Sequence, residues 1–91
     1  MQNTILLLGP AIRCTNYERE FHVEASTPAE AVSLLCRKFP DLRRFIYEDA
    51  GQFRTYLRFF IDSEACTCEA MHEPPNRESI EICVTVPVAG G

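Results

Sequence analysis

The feature that most constrains the fold is one strong helix start, at Ser26-Thr27-Pro28-Ala29-Glu30. Thr27 is a typical N-cap residue, Pro28 suits the first helical position, and Glu30 follows the cap by three residues. The apolar residues after it recur at helical spacing: Ala31, Val32, Leu35, Cys36 and Phe39. Pro40 ends this pattern. We predict an amphipathic helix from about Pro28 to Phe39, which needs an apolar surface to pack against.

Strand patterns precede this helix. Ile5-Leu6-Leu7-Leu8 is a continuous apolar run that ends at Gly9-Pro10, as in a buried strand followed by a turn. Residues 19–24 alternate between apolar and polar types, which is typical of a half-buried strand. We expect the two strands to form a hairpin, joined by a loop around Cys14 to Tyr17.

Shorter elements follow the helix. Alternation of apolar and polar residues predicts two more strands, Thr55–Ile61 and Ile80–Val86. Three weaker signals complete the chain: a short helix from Asp41 through Tyr47, a turn at Asp62-Ser63-Glu64, and an irregular link over 65–75 with an edge strand near Cys66 or Met71.

A hairpin, a helix and two further strands make an α+β roll, in which one main helix packs across a mixed sheet of four to five strands. Ninety-one residues suffice for one small domain. We assign residues 1–86 to this domain and residues 87–91 to a flexible C-terminal tail, since the last predicted strand runs almost to the end of the sequence.

Charge and composition exclude several classes of function. The net charge of −4 disfavours a nucleic-acid partner and suits a basic protein surface. No apolar run is long enough to span a membrane, and the first residues do not form a signal peptide, so we expect a cytoplasmic protein. Five cysteines, an odd number, then indicate reduced thiols.

No constellation of catalytic or metal-binding residues is evident. His22 and His72 have no nucleophile or carboxylate partner at a motif spacing, and His22 suits a strand surface. Cys66-Thr67-Cys68 lacks the spacing of a zinc site, and Glu48-Asp49 is more typical of a turn than of an acid pair. No phosphate-binding loop occurs. The chain is therefore predicted to have no catalytic residues and no metal, and not to be an enzyme by itself.

The sequence finishes with Pro87-Val88-Ala89-Gly90-Gly91. Two glycines carry no side chain to bury and cost the most conformational entropy to order, so they do not stabilise a fold. They do form a thin arm with an unhindered carboxylate, which could thread a narrow channel and present its carboxyl group to an enzyme. Small residues are also common at frayed termini.

A protein that acts through its terminus also needs a docking surface. Tyr56, Arg58 and Phe60 would share one face of the third strand, opposite Leu57 and Phe59. Exposed aromatic residues beside an arginine are typical interface anchors. The alternative is that a bulge shifts the register and buries Phe60 in the core.

The element order resembles the β-grasp, or ubiquitin-like, family. The Pro87–Gly91 segment of this sequence is similar to the C-terminal end of the small subunit of molybdopterin synthase. The chain is also similar to the sulfur carriers of thiamine and cysteine biosynthesis. The segments Thr27–Ala31 and Phe39–Arg43 also resemble the ubiquitin-like domain of phage tail assembly proteins of the lambda I type. The chains of those proteins usually continue past the glycine, and this sequence differs from them in that respect.

The resemblance implies a function for the tail. An activating enzyme of the ubiquitin-activating type would use ATP and magnesium to adenylate the carboxylate of Gly91, while the chain itself binds no cofactor. Gly90 and the tail residues Ala89, Val88 and Pro87 would lie in the channel of that enzyme. A persulfide would then give a thiocarboxylate, whereas a cysteine of the enzyme would give a thioester.

Three functions remain open at this point: a sulfur carrier, a bacterial modifier of target lysines with an antiviral role, and a phage tail assembly protein. Beyond the activating enzyme, the resemblance implies a synthase large subunit, a conjugating enzyme or a JAB-type peptidase as partner.

Overall fold

A computed structural model describes residues 2–87 and shows a five-stranded mixed sheet packed against one main helix. The strands are β1 (Gln2–Leu8), β2 (Glu20–Glu24), β3 (Arg58–Ile61), β4 (Glu64–Cys66) and β5 (Ser79–Thr85). The α-helices are α1 (Pro28–Lys38) and α2 (Arg43–Ile46), and three 3-10 helices span Pro10–Thr15, Pro40–Leu42 and Ala70–His72. The strand order is β2-β1-β5-β3-β4, with β1 and β5 parallel and the other pairs antiparallel. The predicted α+β roll is confirmed.

Helix α1 begins where the sequence predicts. The backbone N–H of Glu30 donates to Thr27 Oγ1 at 3.1 Å, and the N–H of Ser26 donates to Glu30 Oε1 at 2.9 Å. These two bonds form a capping box, which satisfies backbone donors that the first turn leaves unpaired. The helix ends at Lys38, one residue before the predicted end, because Pro40 prevents further helical hydrogen bonds.

The core lies between α1 and the inner face of the sheet. Ile5 and Leu7 of β1 and Ile82 and Val84 of β5 alternate with more exposed neighbours and are at most 1% exposed. Asn3 is also buried, and its Nδ2 donates to the carbonyl oxygens of Val23 at 3.2 Å and Ala25 at 3.4 Å. This amide therefore ties the end of β2 to the start of β1.

The connection between β1 and β2 differs from the expected loop. Residues Pro10–Thr15 form a 3-10 helix, and the turn after it has positive φ angles at Asn16 and Tyr17. Thr15 Oγ1 is fully buried and lies 3.0 and 2.8 Å from the carbonyl oxygens of Ile12 and Glu18. These local bonds stabilise a turn of helix that hydrophobic periodicity does not reveal.

The later elements are shifted or divided relative to the sequence predictions. The predicted helix from Asp41 through Tyr47 is the 3-10 helix Pro40–Leu42 followed by α2. Strand β3 begins at Arg58 and not at Thr55, and β5 starts and ends one residue earlier than predicted. Of the two positions proposed for an edge strand, Cys66 lies in β4, whereas Met71 lies in the third 3-10 helix and is fully buried.

Within residues 2–87, no helix has the length and apolar character needed to cross a membrane.

Candidate functional site

Strand β5 lies at the centre of the sheet and directly precedes the predicted tail in the sequence. It pairs along its whole length with β1, from Gln2 opposite Ser79 to Leu8 opposite Thr85, and with β3 on its other side. The described chain ends at Pro87, which is exposed. The predicted channel residues Val88 and Ala89, with Gly90 and Gly91, lie outside the described residues, so the assignment of 87–91 as a tail stays a prediction.

The direction in which the chain leaves β5 depends on Gly9. The N–H of Val86 donates to the carbonyl oxygen of Leu8 at 2.9 Å, so the pairing with β1 continues one residue past the strand. Gly9 has φ 103°, and a Cβ atom placed on it would lie 1.9 Å from the carbonyl oxygen of Val86. Only glycine combines this φ with such a close backbone contact. The chain therefore leaves the sheet in direct contact with the β1 end.

The outer face of the sheet carries a row of half-exposed apolar side chains. Leu6 is opposite Cys83, Cys83 is opposite Phe60, and Phe60 is opposite Ala65. Phe60 is therefore on the outer face, and β3 pairs with β5 in an unbroken register without a bulge. The alternative that places Phe60 in the core is wrong, because Phe59 takes that position with 3% exposure.

Arg58 lies beside this row, close to the point where the chain leaves β5, and Tyr56 precedes it by two residues. Arg58 is opposite Thr85, and its Nη1 donates to the carbonyl oxygens of Thr55 at 3.3 Å and Leu57 at 3.1 Å. Tyr56 precedes the strand in a turn, and its hydroxyl donates to the carbonyl oxygen of Phe45 at 3.0 Å. The structure thus places Arg58 and Phe60 on one face of β3, whereas Tyr56 lies in the turn before the strand, with its hydroxyl bonded to α2. The docking role of the three residues stays a prediction.

One further exposed apolar residue, Leu8, belongs to the same region and was not predicted from the sequence. Among the described residues, the large hydrophobic side chains classed as exposed are Leu8 at 42%, Tyr17 at 68% and Tyr56 at 41%. Leu8 is the last residue of β1, in the row that also contains Thr85 and Arg58, and Tyr17 follows the first 3-10 helix. Leu8 could have been found from the alternation of β1, which places it on the same face as Leu6.

The remaining candidates do not form a site. His22 is exposed on β2, with Nδ1 3.3 Å from Thr4 Oγ1 and Nε2 3.3 Å from Glu20, as expected of a surface residue. Glu48-Asp49 lies at a turn, as predicted. Among residues 2–87 no three His, Cys, Asp or Glu side chains are placed to hold a metal ion. All five cysteines, which fall in this range, are free thiols.

A cleft of about 660 Å³ is lined by the N-terminal half of α1, by residues 47–53 and by residues of and next to the third 3-10 helix. Its aromatic wall consists of Tyr47 stacked on Phe53 at 5.3 Å, with the ring of His72 5.7 Å from Phe53. Cys68 also lines the cleft. Thr27 and Glu30 of the capping box line the same cleft, so it extends to the start of α1.

The thiol of the buried Cys36 and the hydroxyl of the half-buried Tyr47 predict that the protein loses stability at alkaline pH. Burial raises the pKa of the Cys36 thiol from 9.0 to about 11, and burial also raises the pKa of the Tyr47 hydroxyl from 10.0 to about 12. Both groups are neutral when protonated, so the folded chain retains protons that the unfolded chain has lost. The stabilisation that these protonated groups contribute to the fold is fully present below about pH 9 and is lost as the pH rises through about 11 to 12.

We therefore expect the free energy of unfolding to fall by about 2 kcal/mol between about pH 9 and 11 through Cys36, with a smaller further loss through the half-buried Tyr47, measured by urea denaturation. Cys36→Val removes one of the two titrating groups and should reduce this slope. An unchanged slope in that variant would contradict the assignment to Cys36.

No family model matches the sequence, and no curated protein matches it. Solved structures do match. The crystal structure of SAMP1 from Haloferax volcanii is 19% identical, covers 100% of both chains and has a TM-score of 0.84. The solution structure of small archaeal modifier protein 1 from Methanosarcina acetivorans is 18% identical, covers 99% of this chain and 96% of that one, and has a TM-score of 0.81.

A chain from the complex of subunits 1 and 2 of the molybdopterin-converting factor of Helicobacter pylori 26695 also matches. The two chains are 14% identical, the match covers 100% of each, and the TM-score is 0.62. Identities this low establish the architecture and no more. The chain therefore has the β-grasp fold of ubiquitin-like proteins, as the resemblance of its element order predicts.

Proposed function

We propose that this chain is a ubiquitin-like protein substrate, whose Gly91 carboxyl group is adenylated by an activating enzyme and converted to a thiocarboxylate for sulfur transfer. The observation that carries the proposal is the position of β5. This central strand leads directly into Pro87-Val88-Ala89-Gly90-Gly91, in a fold shared with a modifier protein and a molybdopterin-converting factor subunit.

The chemistry requires only the carboxylate from this chain. The Gly91 carboxylate attacks the α-phosphorus of magnesium-bound ATP and displaces pyrophosphate, which gives an acyl-adenylate. A protein persulfide attacks the acyl carbon, releases AMP and forms an acyl disulfide. A second thiol then cleaves the sulfur–sulfur bond, leaving the thiocarboxylate on Gly91 and a disulfide on the sulfur donor. ATP and magnesium belong to the activating enzyme.

The outer face next to the tail is the proposed docking surface for this enzyme. Tyr56, Arg58 and Phe60 are its predicted members, and Leu6 and Leu8 extend it to the point where the chain leaves β5. Tyrosine and arginine side chains are enriched among the residues that dominate the binding energy of interfaces. A synthase large subunit, a conjugating enzyme or a JAB-type peptidase would use the same surface in later steps, one partner at a time.

A second candidate function is a protein modifier joined to target lysines through Gly91. The observation that favours it is the higher TM-score with small archaeal modifier proteins, 0.84 and 0.81, than with the molybdopterin-converting factor chain, 0.62. Both functions share the acyl-adenylate and differ in the nucleophile that follows. The chain has one lysine, Lys38, and so offers little for chain building on itself.

Mass spectrometry of the chain purified from its own host distinguishes these functions. Trypsin releases a C-terminal peptide, Glu78–Gly91, because no lysine or arginine follows Arg77. This peptide contains one cysteine, Cys83, so it takes up one alkyl group from iodoacetamide as a carboxylate and two as a thiocarboxylate. We expect the doubly alkylated peptide, with one oxygen replaced by sulfur.

A Cys83→Ser variant serves as the control, since its peptide is alkylated only if it carries a thiocarboxylate. Peptides from other proteins that carry Glu78–Gly91 on a lysine would instead establish conjugation. Finding neither product, with or without the host's adenylating enzyme in excess, would contradict the proposed function.

A further inference from the structure

Basic residues are concentrated at one end of this acidic protein. We define the exit end as the end of the sheet where β1 and β5 finish and where β2 and β3 begin. Residues 37–58 contain six basic and three acidic residues, a net charge of +3, while the rest of the chain carries −7. The fold gathers this basic segment near the exit end, together with two arginines from the β1–β2 connection.

The chain path and two hydrogen bonds place these residues. The hydroxyl of Tyr56, two residues before Arg58, donates to Phe45 of α2, and Arg54 donates to Arg44 of the same helix, so α2 lies beside the start of β3. Arg58 opens β3 opposite Thr85, and Arg13 lies in the 3-10 helix that follows β1. Helix α1 starts after β2 has reached the opposite end, so its last turn, with Arg37 and Lys38, returns to the exit end. Eight of the nine basic residues are therefore at or near this end: Arg13, Arg19, Arg37, Lys38, Arg43, Arg44, Arg54 and Arg58.

The ninth basic residue, Arg77, lies at the opposite end, where it forms an ion pair with Asp62. That end is otherwise acidic, and its carboxylates include Glu24, Glu30, Asp62, Glu64 and Glu78. The chain thus carries a charge asymmetry along its strands, with the positive end next to the tail. Such an asymmetry orients a protein as it approaches a charged partner.

The arginines of the exit end are held in position but are not neutralised. The guanidinium of Arg43 lies 5.3 Å from the ring centre of Tyr47, and that of Arg44 lies 5.8 Å from the ring centre of Phe45. Arg54 Nε donates to the carbonyl oxygen of Arg44. Within residues 2–87 the ion pairs are His22–Glu20 and Arg77–Asp62, so none of the eight basic residues is paired with a carboxylate there. Their remaining N–H donors face solvent.

We propose that the exit end docks on an acidic surface of the activating enzyme, around the entrance of the channel that receives the tail. This inference rests on the proposed function and adds the chemistry of the partner surface: carboxylate side chains that pair with Arg43, Arg44, Arg54 and Arg58. The net charge of −4 suggests a basic partner, but the charge distribution requires the opposite sign at this end.

A protein partner fits better than a nucleic acid. Asp41, Glu48 and Asp49 line one pocket of about 400 Å³ with Arg43, Arg44 and Arg54, so the surface alternates in sign. A continuous phosphate backbone would meet these carboxylates, whereas a protein surface can match them residue by residue. The neighbouring exposed Leu8 and Tyr56 supply the apolar contact that protein interfaces bury.

The test uses charge reversal at the two ends of the full chain. Arg44→Glu and the double variant Arg44→Glu, Arg54→Glu reverse the exit end, and Arg77→Glu is the matched control at the opposite end. Binding to the adenylating enzyme of the same organism is measured by isothermal titration without ATP, and adenylation is measured by ATP–pyrophosphate exchange. Circular dichroism verifies that each variant is folded.

We expect Kd and KM to rise about fivefold in the single variant and about thirtyfold in the double variant, with kcat unchanged. Arg77→Glu should stay within about twofold of the parent chain, since it lies far from the contact. Raising the salt concentration should weaken binding of the parent chain and have little effect on the double variant.

Equal loss of binding in Arg77→Glu and Arg44→Glu would overturn the proposal, as would salt-independent binding. The proposal would also be overturned if the parent chain bound duplex DNA, the double variant did not, and both chains bound the adenylating enzyme equally well. Salt-sensitive, Arg44-dependent binding without any pyrophosphate exchange would support the docking surface but contradict the proposed function, so the two inferences fail separately.

Discussion

A chain that lacks Gly91 is expected to lose adenylation while unfolding at the same temperature as the complete chain. One residue of extended chain spans about 3.3–3.6 Å, so the shortened tail would hold its carboxylate that far from the α-phosphorus of ATP. A displacement of even about 1 Å from the reactive position can cost about 100-fold in rate. We expect at least this loss in kcat for pyrophosphate exchange. The domain should be unaffected, because the core residues found among residues 2–87 all precede Pro87.

Two variants and a binding measurement distinguish the length of the tail, the width of the enzyme's channel and the docking of the domain. Gly91→Ala keeps the length of the tail and adds one methyl group, which tests whether the channel excludes side chains. Both variants retain the exit end, so their Kd for the activating enzyme should stay within about threefold of the parent value. Full activity of Gly91→Ala and of the truncated chain would contradict any role for the Gly91 carboxylate and would favour an assembly function in which no activation occurs.

Where a local pattern determines the structure, the sequence is a reliable guide. The capping box of Thr27 and Glu30 starts α1 at the predicted residue, because both hydrogen bonds join residues within one turn. The alternation of Phe59 and Phe60 agrees with the observed inner and outer faces of β3, although the sequence left open a bulge that would bury Phe60. In both cases neighbours along the chain provide the relevant interaction.

Where distant parts of the chain determine the structure, the predictions were less accurate. Strand β3 was expected to begin at Thr55, but the hydroxyl of Tyr56 bonds to the carbonyl oxygen of Phe45 and holds a turn there. Met71 is fully buried in a segment that lacks periodicity, since it reaches the core from a 3-10 helix packed against α1. No sequence window that contains only one partner of such a contact can reveal it.

The candidate site shows the same division. Tyr56, Arg58 and Phe60 are close in sequence and were predicted together, whereas Leu8 joins them only through the pairing of β1 and β3 with β5. The basic exit end is less visible still, because Arg13 and Arg58 belong to different parts of the chain. Net charge is a property of composition, but its distribution depends on the order and direction of the strands.

Gly9→Ala is expected to destabilise the protein by about 3 kcal/mol or more, the largest effect that we predict for adding a single methyl group. Gly9 adopts φ 103°, which alone costs an L-residue about 1–2 kcal/mol. The added Cβ would also stand 1.9 Å from the carbonyl oxygen of Val86, and this neighbour is backbone that cannot rotate away. Relief requires Val86 to move, which breaks its hydrogen bond to Leu8 and redirects the tail.

Gly51→Ala is the matched control for this prediction. Gly51 has a similar φ of 93°, but no atom lies within 4 Å of the position that its Cβ would take. Both variants therefore carry the cost of a positive φ, and only Gly9→Ala adds the contact with Val86. Urea denaturation should show a loss of about 1–2 kcal/mol for Gly51→Ala and a clearly larger loss for Gly9→Ala. Equal losses would mean that the close approach of Gly9 to Val86 contributes nothing.

Because the same contact directs the chain out of β5, Gly9→Ala should also raise KM for adenylation under conditions where it remains folded, whereas Gly51→Ala should not.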